Sequence, residues 1–533
     1  KALFKKMIDR GLSMPWTYTS TAVFRLDEEL IDLMVESGCE YINIAIESGS
    51  ERVTRDIVLK PLDYHHAKKM VAYAQKKGLF VSGNFIIGFP TETWEEIRKT
   101  IDFAEEINVD YVSSLISFFK MNPNVPITVY VHIPYCAKLC YYCSCRMHIS
   151  NNREIINNFV KVLLKEIGML CDVFEKNKIT PNVKEIHFGG GTPSHLTINE
   201  IKEIINYLKR FIQFNKLNEF SMEIDPRTVK AENFEEYSKL GIDRISFGVQ
   251  DFDPTVQKKI NREQSFELVE SLMENNLKKY FKGVNFDLLY GLPSQSIQTF
   301  SKTIELTKKL SPERITLIKY AHIPSKRKHM KMILEEDLPD EKDLPFIFVD
   351  SAMKLIEGGY EWVGIDHFAK KDDQPALAKL NGKVYRNFGG ETPGYTKDII
   401  ALGPTSTMGF GNYYFQNTYD IKSYKEDVNS GKFPISRGYV LNDDDLIRRD
   451  CNFSLQCNQI LNFEEISEKY KINFKDYFKK ELLELKKQEK DGFIEINESK
   501  IKVTTYGRYF IRHICQIFDT FFDYKKKYEI HGN

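Results

Sequence analysis

Apolar and polar positions along the first 120 residues alternate between the periods of helices and strands. A segment that opens with acidic residues at 27–29 carries Leu30, Leu33 and Met34 at helical spacing, and an apolar run at 41–46 follows it. The same alternation predicts helices over 65–77 and 93–107 and strands over 80–87 and 111–116. Because helices of this length separate the strands, the pattern predicts parallel βα units.

A stretch at 119–126, with two prolines and two asparagines, interrupts this pattern and is interpreted as a domain boundary. The alternation then resumes, and strands are expected at 127–133, 185–188, 220–224, 244–249, 285–290 and 315–320. Six strands with intervening helices predict an α/β fold, a partial (β/α)6 barrel of TIM type.

The pattern changes again beyond residue 325. Residues 360–425 are rich in Gly and Tyr and are expected to be irregular, and the chain beyond 438 is predicted to be helical around one hairpin at 493–503. That last region has a winged-helix look, interpreted as a cap over the barrel, with DNA binding as the alternative. The predicted domains are 1–119, 127–325, 326–437 and 438–533.

An internal repeat links the two strand-rich parts. Four pairs of residues coincide at a constant offset of 203 residues: Glu47 with Gln250, Asn84 with Asp287, Gly88 with Gly291, and Thr100 with Thr303. Residues 16–118 are therefore predicted to be a partial copy of the barrel segment 219–323, without a counterpart of the cysteine motif described below. The alternative is that two unrelated βα stretches agree by chance.

Composition and charge narrow the classes of function. The 533 residues contain 75 Lys+Arg and 75 Asp+Glu, a balance that argues against a chain that holds nucleic acid by bulk charge. A hydrophobic content of 42% is enough for a folded core, and no run of 18 apolar residues predicts a membrane span. The chain shows no export signal and is expected to be cytoplasmic, although it begins at Lys1 and a preceding targeting segment stays open.

Four cysteines cluster after the first strand of the second barrel. Cys136, Cys140 and Cys143 have the spacing C-x3-C-x2-C, and Cys145 follows two residues later. Three thiolates on one loop can hold a [4Fe–4S] cluster and leave one iron open, whereas a structural zinc site is the alternative. Cys145 is interpreted as a fourth thiolate, a catalytic thiol or a buried neighbour.

Further polar and glycine residues follow the next strands. The sequence Gly189-Gly190-Gly191-Thr192-Pro193 lets the backbone come close to a ligand. Four polar residues stand at or just after later strand ends, where barrel enzymes place their sites: Glu223, Gln250, Arg262 and Asp287. Taken singly, each could equally be a surface residue of a loop.

These motifs resemble radical S-adenosylmethionine enzymes, and residues 127–533 resemble the oxygen-independent coproporphyrinogen III oxidase family. The resemblance rests on ordered motifs: Tyr130-Val-His-Ile-Pro-Tyr-Cys136, the Gly-Gly-Gly191-Thr-Pro turn, Glu223-Ile-Asp-Pro-Arg227, Gly-Val-Gln250-Asp, Asn-Arg262-Glu, Asp287-Leu-Leu-Tyr-Gly, Tyr-Ala321-His322, Gly-Ile-Asp-His367, Arg386-Asn-Phe388 and Ile-Arg448-Arg449-Asp. Residues 16–118 resemble the later half of another barrel of the superfamily. Gly389 stands where the family has glutamine, and Thr407 where an aliphatic residue is expected.

The resemblance implies a role for each matching residue. Cys136, Cys140 and Cys143 would ligate the cluster. Tyr130, Gly190 and Glu223 would contact the S-adenosylmethionine bound to it. A second S-adenosylmethionine would meet Tyr142, Gly191, Thr192, Gln250, Arg262, Asp287 and Ala321, with Thr407 nearby. Cys145, Arg448 and Arg449 are the candidate catalytic residues, the two arginines as anchors for substrate carboxylates.

The implied reaction is oxidative decarboxylation of two propionates of coproporphyrinogen III to give protoporphyrinogen IX in haem biosynthesis. A 5′-deoxyadenosyl radical from S-adenosylmethionine would abstract the hydrogen, with an electron from a low-potential donor such as flavodoxin or ferredoxin. Neither nucleic acid nor a membrane is an expected partner. The alternatives are a haem-binding chaperone of the same family and a radical tetrapyrrole methyltransferase.

Overall fold

The computed structural model describes residues 1–12, 15–60, 62–86, 91–109, 111–112, 124–274, 277–393 and 396–521. The chain forms two compact units. The first contains the described part of Lys1–Met121 together with Tyr413–Gln416 and Ile435–Val440, and the second contains the described remainder. The glycine–proline motif at 88–90, residues 113–116 of a predicted strand and most of the predicted boundary at 119–126 lie outside the described residues.

The first unit is built on a parallel sheet with strands in sequential order, β1 (Trp16–Ala22), β2 (Cys39–Glu47), β3 (Phe80–Phe85) and β4 (Tyr111–Val112). Its helices are Ala2–Asp9, Glu28–Glu36, Tyr64–Lys76 and Trp94–Glu106. Asp27 caps the second helix through Leu30 N–H, and Thr93 and Glu96 form a capping box on the fourth. The helices bury their apolar stripes on β2 and β3, where Ile44 is fully buried.

Six parallel strands form the centre of the second unit. In chain order, the strands that begin this unit are β5 (Pro126–Ile133), the short β6 (Tyr135–Cys136) and β7 (His148–Ile149), then β8 (Asn182–Gly190), β9 (Glu219–Ile224), β10 (Arg244–Gln250), β11 (Gly283–Tyr290) and β12 (Arg314–Lys319). The neighbours β5-β8-β9-β10-β11-β12 all pair in parallel. The helices that connect or follow them are Arg153–Lys176, Ile198–Leu208, Ala231–Lys239, Pro254–Lys259, Phe266–Glu274 and Ile297–Leu310. This order confirms the predicted partial (β/α)6 arrangement and brings the carboxyl ends of all six strands to one edge.

The region expected to be irregular contains several short strands that extend this sheet. After helix Leu344–Glu357 come β13 (Tyr360–Val363), β14 (His367–Lys370), helix Gln374–Leu380, the hairpin strands β15 (Tyr385–Asn387) and β16 (Gly390–Thr392), β17 (Asp398–Leu402) and β18 (Thr407–Phe410). Strand β14 pairs antiparallel with β12 and β13, whereas β17 pairs in parallel with β5. The chain continues through β19 (Tyr413–Asn417), helix Ile421–Asn429 and β20 (Ile435–Val440).

The last hundred residues fold around a small core of their own. Helices Asp443–Phe453, Phe463–Tyr470, Phe474–Tyr477, Lys479–Lys490 and Ile511–Cys515 surround a sheet of β21 (Ile460–Asn462), β22 (Ile494–Ile496) and β23 (Lys500–Val503) in the order β21-β23-β22. Leu455, Phe478 and Ile514 are fully buried among them. Helices followed by an antiparallel hairpin correspond to the predicted helical, winged-helix-like arrangement.

The internal repeat extends to backbone detail. Helix Glu28–Glu36 corresponds to Ala231–Lys239 residue for residue at the offset of 203. Glu47 and Gln250 both adopt left-handed backbone conformations, with φ of 69° and 67°. The hydroxyl of Thr100 accepts a hydrogen bond from the Gly49 amide at 2.9 Å. The hydroxyl of Thr303 accepts one from the Phe252 amide, the matching position, at 3.2 Å. The same bend, supported by the same hydroxyl, therefore occurs in both units.

Candidate active site

The cysteine loop leaves the sheet between β5 and β7 and is held at its base by backbone bonds. The His148 amide donates to Pro134 O at 2.7 Å, and the Ser150 amide donates to Cys136 O at 3.2 Å. From the segment that follows the helix Pro254–Lys259, the side-chain amide of Asn261 donates to Leu139 O at 2.7 Å. These bonds give the loop a defined shape without involving the sulfur atoms.

The four cysteine side chains differ in exposure. Cys136 and Cys140 are buried, Cys143 is half-buried and Cys145 is exposed. Burial raises the pKa of the Cys136 thiol to about 12, while the nearby Thr192 hydroxyl works in the opposite direction. Bound iron would displace the thiol proton, because the thiolate is the form that ligates metal.

Polar side chains from the segments that follow β8, β9 and β10 point at the two buried sulfurs. Thr192 Oγ1 lies 3.2 Å from Cys136 Sγ, and Arg227 Nη2 and Arg262 Nη1 lie 3.6 and 3.5 Å from Cys140 Sγ. Hydroxyl and guanidinium donors stabilise thiolate charge, and hydrogen bonds to sulfur tune a cluster of this type. The donor set therefore fits an anionic iron–sulfur group held by Cys136, Cys140 and Cys143.

Arg262 is fixed in place by a buried network. Its Nη1 lies 3.3 Å from Asp225 Oδ2, and its Nη2 donates to Gly248 O at 2.7 Å. Arg227 pairs with the same carboxylate at 2.7 Å. Burial alone would raise the pKa of Asp225, but the two guanidinium groups outweigh it and hold that pKa below its usual value.

The glycine turn at the end of β8 packs against protein atoms on both sides. Gly190 has φ +112°, and an added Cβ would lie 2.5 Å from His132 Cε1. A Cβ on Gly189 would lie 2.7 Å from Glu223 Oε1, and one on Gly191 would lie 2.9 Å from Ile133 O. Glycine at these positions lets β8 approach its neighbours, and the Gly190 amide donates to Glu223 Oε2 at 3.1 Å.

A cavity of about 290 Å³ opens among the inward side chains of the strands and extends to the first residues of three of them, Glu219, Arg244 and Arg314. Its lining includes three of the predicted cofactor residues, Tyr130, Glu223 and Asp287, together with His187 and Gly389. The ring of Tyr130 stacks on His187 with centroids 5.7 Å apart, and His187 Nε2–H donates to Glu223 Oε1 at 3.2 Å. The structure thus brings together Tyr130, Gly190 and Glu223 in one connected set.

Burial and neighbouring charges shift the pKa values of residues in and near the cavity. Burial lowers the pKa of His132 to about 4, so this ring is neutral. Burial alone would lower the pKa of His187 too, but the hydrogen bond and charge of Glu223 raise it above its usual value. Burial and the Glu223 charge raise the pKa of Asp287, whose carboxylate accepts from Ser246 Oγ at 2.7 Å.

The remaining predicted residues are four proposed cofactor contacts and two arginines that were predicted to be catalytic. Near the cysteine loop, Gln250 is buried beside Gly248, and Tyr142 packs on the apolar cluster that contains Val256 and Tyr320. Ala321 follows β12 and Thr407 opens β18, both half-buried.

Neither Arg448 nor Arg449 is among the cavity-lining residues. Arg448 pairs with Asp444 at 2.8 Å and Glu481 at 2.9 Å, and Arg449 donates to Gly411 O at 3.0 Å.

Two features were missed by sequence reasoning. Arg227 reaches Cys140, and its only signal was its place in the motif that begins at Glu223. A buried ion cluster joins His367 to Glu391, with His367 Nδ1 2.9 Å from Asp366 Oδ1. Burial opposes ionisation of His367, but the two carboxylates outweigh it and raise its pKa to about 10, so the ring is an imidazolium beside the cavity.

Comparisons with known proteins agree with this geometry. The family model described as the Radical SAM superfamily matches residues 4–104 and 130–307. The oxygen-independent coproporphyrinogen III oxidase of Escherichia coli (strain K12) is 35% identical over 446 residues, which cover 84% of this chain and 94% of that protein. The chain belongs to the oxygen-independent coproporphyrinogen III oxidase family of radical SAM enzymes.

Other members of the family match over a similar length. The oxygen-independent coproporphyrinogen III oxidase of Helicobacter pylori (strain ATCC 700392 / 26695) is 34% identical over 81% of this chain and 94% of its own. The solved structure of the Escherichia coli coproporphyrinogen III oxidase has a TM-score of 0.73 at 35% identity and covers 76% of this chain and 93% of that one. The radical SAM fold and enzyme class predicted from the motifs are thereby confirmed, and with them the use of a [4Fe–4S] cluster and S-adenosylmethionine.

Among the described residues, no helix combines the length and the apolar character that crossing a membrane requires.

Proposed function

We propose that this family member catalyses the oxidative decarboxylation of two propionates of coproporphyrinogen III, which yields protoporphyrinogen IX in haem biosynthesis. The observation that carries this proposal is the extent of the match: 94% of the Escherichia coli oxidase is covered, so the likeness continues well past the sheet that radical SAM enzymes share. The buried donors on Cys136 and Cys140 support it, because an iron–sulfur group needs a protected and charge-balanced sulfur environment.

The chain's own residues have three tasks in this reaction. Cys136, Cys140 and Cys143 would hold the cluster, while Thr192 and Arg262 would stabilise the sulfur charge. When bound, the cluster and S-adenosylmethionine supply the 5′-deoxyadenosyl radical that takes hydrogen from a propionate side chain. The protein binds, orients and excludes water around these groups.

The cofactor contacts divide into two proposed sets. Tyr130, Gly190 and Glu223 form the set that would bind the S-adenosylmethionine on the cluster. The hydrogen bond from the Gly190 amide to Glu223 supports this role, as does the position of Tyr130 and Glu223 on the same cavity wall. A second S-adenosylmethionine is proposed to meet the set that continues past the glycine turn and toward the ends of β10, β11 and β12: Tyr142, Gly191, Thr192, Gln250, Arg262, Asp287, Ala321 and Thr407. The nearness of Gln250 and Arg262 to Gly248 supports that set.

Cys145, Arg448 and Arg449 are the proposed catalytic residues. The exposure of Cys145, next to the cluster ligands, supports a role for its thiol. Arg448 is held by Asp444 and Glu481, so an anchoring role for a substrate carboxylate requires that the substrate replace one of these partners. The reaction is proposed to take place in the cytoplasm with a flavodoxin or ferredoxin as donor and without nucleic acid.

An anaerobic turnover assay tests the proposal. Protein reconstituted with iron and sulfide is mixed with dithionite, S-adenosylmethionine and coproporphyrinogen III, and the tetrapyrroles are separated by chromatography. Protoporphyrinogen IX is expected from the unaltered chain and not from Cys140→Ala. Tight haem binding without turnover would point to the haem-carrier alternative, and a methylated tetrapyrrole would point to the methyltransferase alternative.

A further inference from the structure

A basic segment, residues 324–334, follows β12 and lies against the cysteine loop. It contains Lys326, Arg327, Lys328 and Lys331 and no acidic residue before Glu335. Arg327 Nε donates to Ser144 O at 2.7 Å, and His329 Nε2–H donates to Cys143 O at 2.8 Å. The segment is therefore fixed to the backbone of the loop that holds the proposed cluster.

The base of this segment is buried and its lysines face solvent. Met330 is 0% exposed within an apolar cluster that includes Val256 and Ile260. Further exposed lysines flank the loop from two other places, Lys138 on the loop and Lys258 on the helix that precedes Asn261. We call the exposed set the basic rim: Lys138, Lys258, Lys326, Lys328 and Lys331.

We propose that the basic rim is the docking surface for an acidic electron-donor protein of the ferredoxin or flavodoxin class. This inference rests on the proposed function, since radical chemistry at the loop requires one electron from outside. In each encounter the reduced donor loses one electron, the iron–sulfur group held by the loop gains it, and no bond or proton changes place. Charge complementarity steers such encounters and orients the donor toward the loop.

Two features favour a protein over a nucleic acid as the partner. Met332 and Leu334, at the end of the segment, are 60% and 54% exposed and offer apolar contact area of the kind found in protein interfaces. Glu335 and Glu336 follow directly and are exposed, so a continuous phosphate backbone would meet repulsion there. A compact acidic protein can centre its contacts on the lysines and Met332, whereas an extended phosphate backbone would continue past them to those carboxylates.

A binding experiment with matched variants tests the proposal. The rim variant carries Lys326→Glu, Lys328→Glu and Lys331→Glu. The control carries Lys216→Glu, Lys278→Glu and Lys282→Glu, three exposed lysines just before β9 and β11, at the opposite end of the strands. The probe is an acidic plant-type [2Fe–2S] ferredoxin, titrated calorimetrically at two salt concentrations into the reconstituted chain. We expect the rim variant to bind ferredoxin with a Kd about tenfold or more higher, and with a Kd that no longer depends on salt. The control should keep the Kd and the salt dependence of the unaltered chain.

Each outcome decides the matter. Equal ferredoxin affinity in the unaltered chain and the rim variant overturns the proposal, as does a variant that loses binding to a single-stranded RNA oligonucleotide while ferredoxin binding is unchanged. A second variant, Lys138→Glu with Lys258→Glu, must show the same direction of change if the first fails to fold by circular dichroism. Dithionite-driven turnover should be equal in the unaltered chain, the rim variant and the control; its absence from the unaltered chain would contradict the proposed function and leave the ferredoxin result standing.

Discussion

Glu223 connects several polar groups in and near the cavity. Its carboxylate accepts from the Gly190 amide at 3.1 Å and from His187 at 3.2 Å, and it raises the pKa of both His187 and Asp287. A single charge therefore contacts the backbone of the glycine turn and shifts the pKa of two neighbours in the same direction.

Replacing Glu223 should change the acidity of His187 in a known direction. In Glu223→Gln the burial of His187 remains while the carboxylate that opposes its effect is gone, so the pKa of His187 should fall. Titration of the His187 ring followed by NMR measures this. Glu236→Gln, on an exposed helix position, is the control and should leave the titration unaltered. A higher or unchanged His187 pKa in Glu223→Gln would contradict the interpretation.

At the scale of single residues, the sequence indicated those functional residues that stand in a recognisable local motif. The cysteine spacing and the strand-end position of Glu223 are the local signals from which one site is predicted. Arg227 and His367 were missed as members because their importance comes from partners that are far away along the chain, Cys140 for the first and Glu391 for the second. Local spacing holds no information on such contacts.

At the scale of elements, a buried ion network ties β9, β10 and β12 to the helix Gln374–Leu380. Asp373 Oδ1 lies 3.1 Å from Arg244 Nη2, and Asp373 Oδ2 lies 2.7 Å from Arg314 Nε. Glu219 pairs with the same two arginines, and Asp373 also caps the helix through the Gln374 amide. The network thus joins three strand beginnings to the start of one helix.

Removing the Asp373 charge should destabilise the second unit. Asp373→Asn leaves two buried guanidinium groups short of a partner, and we expect a loss of about 3 kcal/mol in the free energy of unfolding. Asp372→Asn, at an exposed neighbouring position, is the control and should change it by less than about 0.5 kcal/mol. Urea denaturation followed by circular dichroism gives the comparison at pH 7.

The same pair of variants has a predicted pH dependence. Burial raises the pKa of Asp373, but the larger combined effect of Arg314 and Arg244 is to lower it. The pKa in the folded chain therefore lies below its usual value. Its stabilisation is therefore present above the usual pKa of about 3.9 and is lost as the pH falls through the lower folded value. The difference between the unaltered chain and Asp373→Asn should shrink on acidification, and a constant difference down to pH 2 would count against the network.

The elements of the central sheet could be predicted, but its width could not. Six strands separated by helices have a clear period, whereas β17 is a five-residue strand in a region rich in Gly and Tyr. Its parallel pairing with β5 joins residues about 270 positions apart, for example Ile400 with Val129. Pairing over such a separation depends on the folded sheet and leaves no local pattern.

At the scale of the whole molecule, the two units share a fold and differ in chemistry. The Radical SAM family model matches both, at 4–104 and 130–307. The cysteine motif falls in the second match alone, and Cys39 is the one cysteine in residues 1–121 of the sequence. We therefore expect a single iron–sulfur cluster per chain.

Iron analysis checks this count. Anaerobically reconstituted protein should contain about four irons and about four acid-labile sulfides per chain. Cys136→Ala should lose most of both, whereas Cys39→Ala, a similarly buried position in the first unit, should retain them. About eight irons per chain, or equal iron in the two variants, would contradict the assignment of the cluster to the cysteine loop.

The shared bend at Glu47 and Gln250 has a consequence for how such sites are recognised. A left-handed residue at the end of a strand invites the view that ligand chemistry demanded it. Here the unit without a cysteine loop keeps the bend, with φ of 69° against 67°, and keeps the threonine that braces it. The left-handed conformation is therefore a property of the fold and not of the ligand site. Any selectivity of Gln250 toward a ligand must come from its side-chain amide.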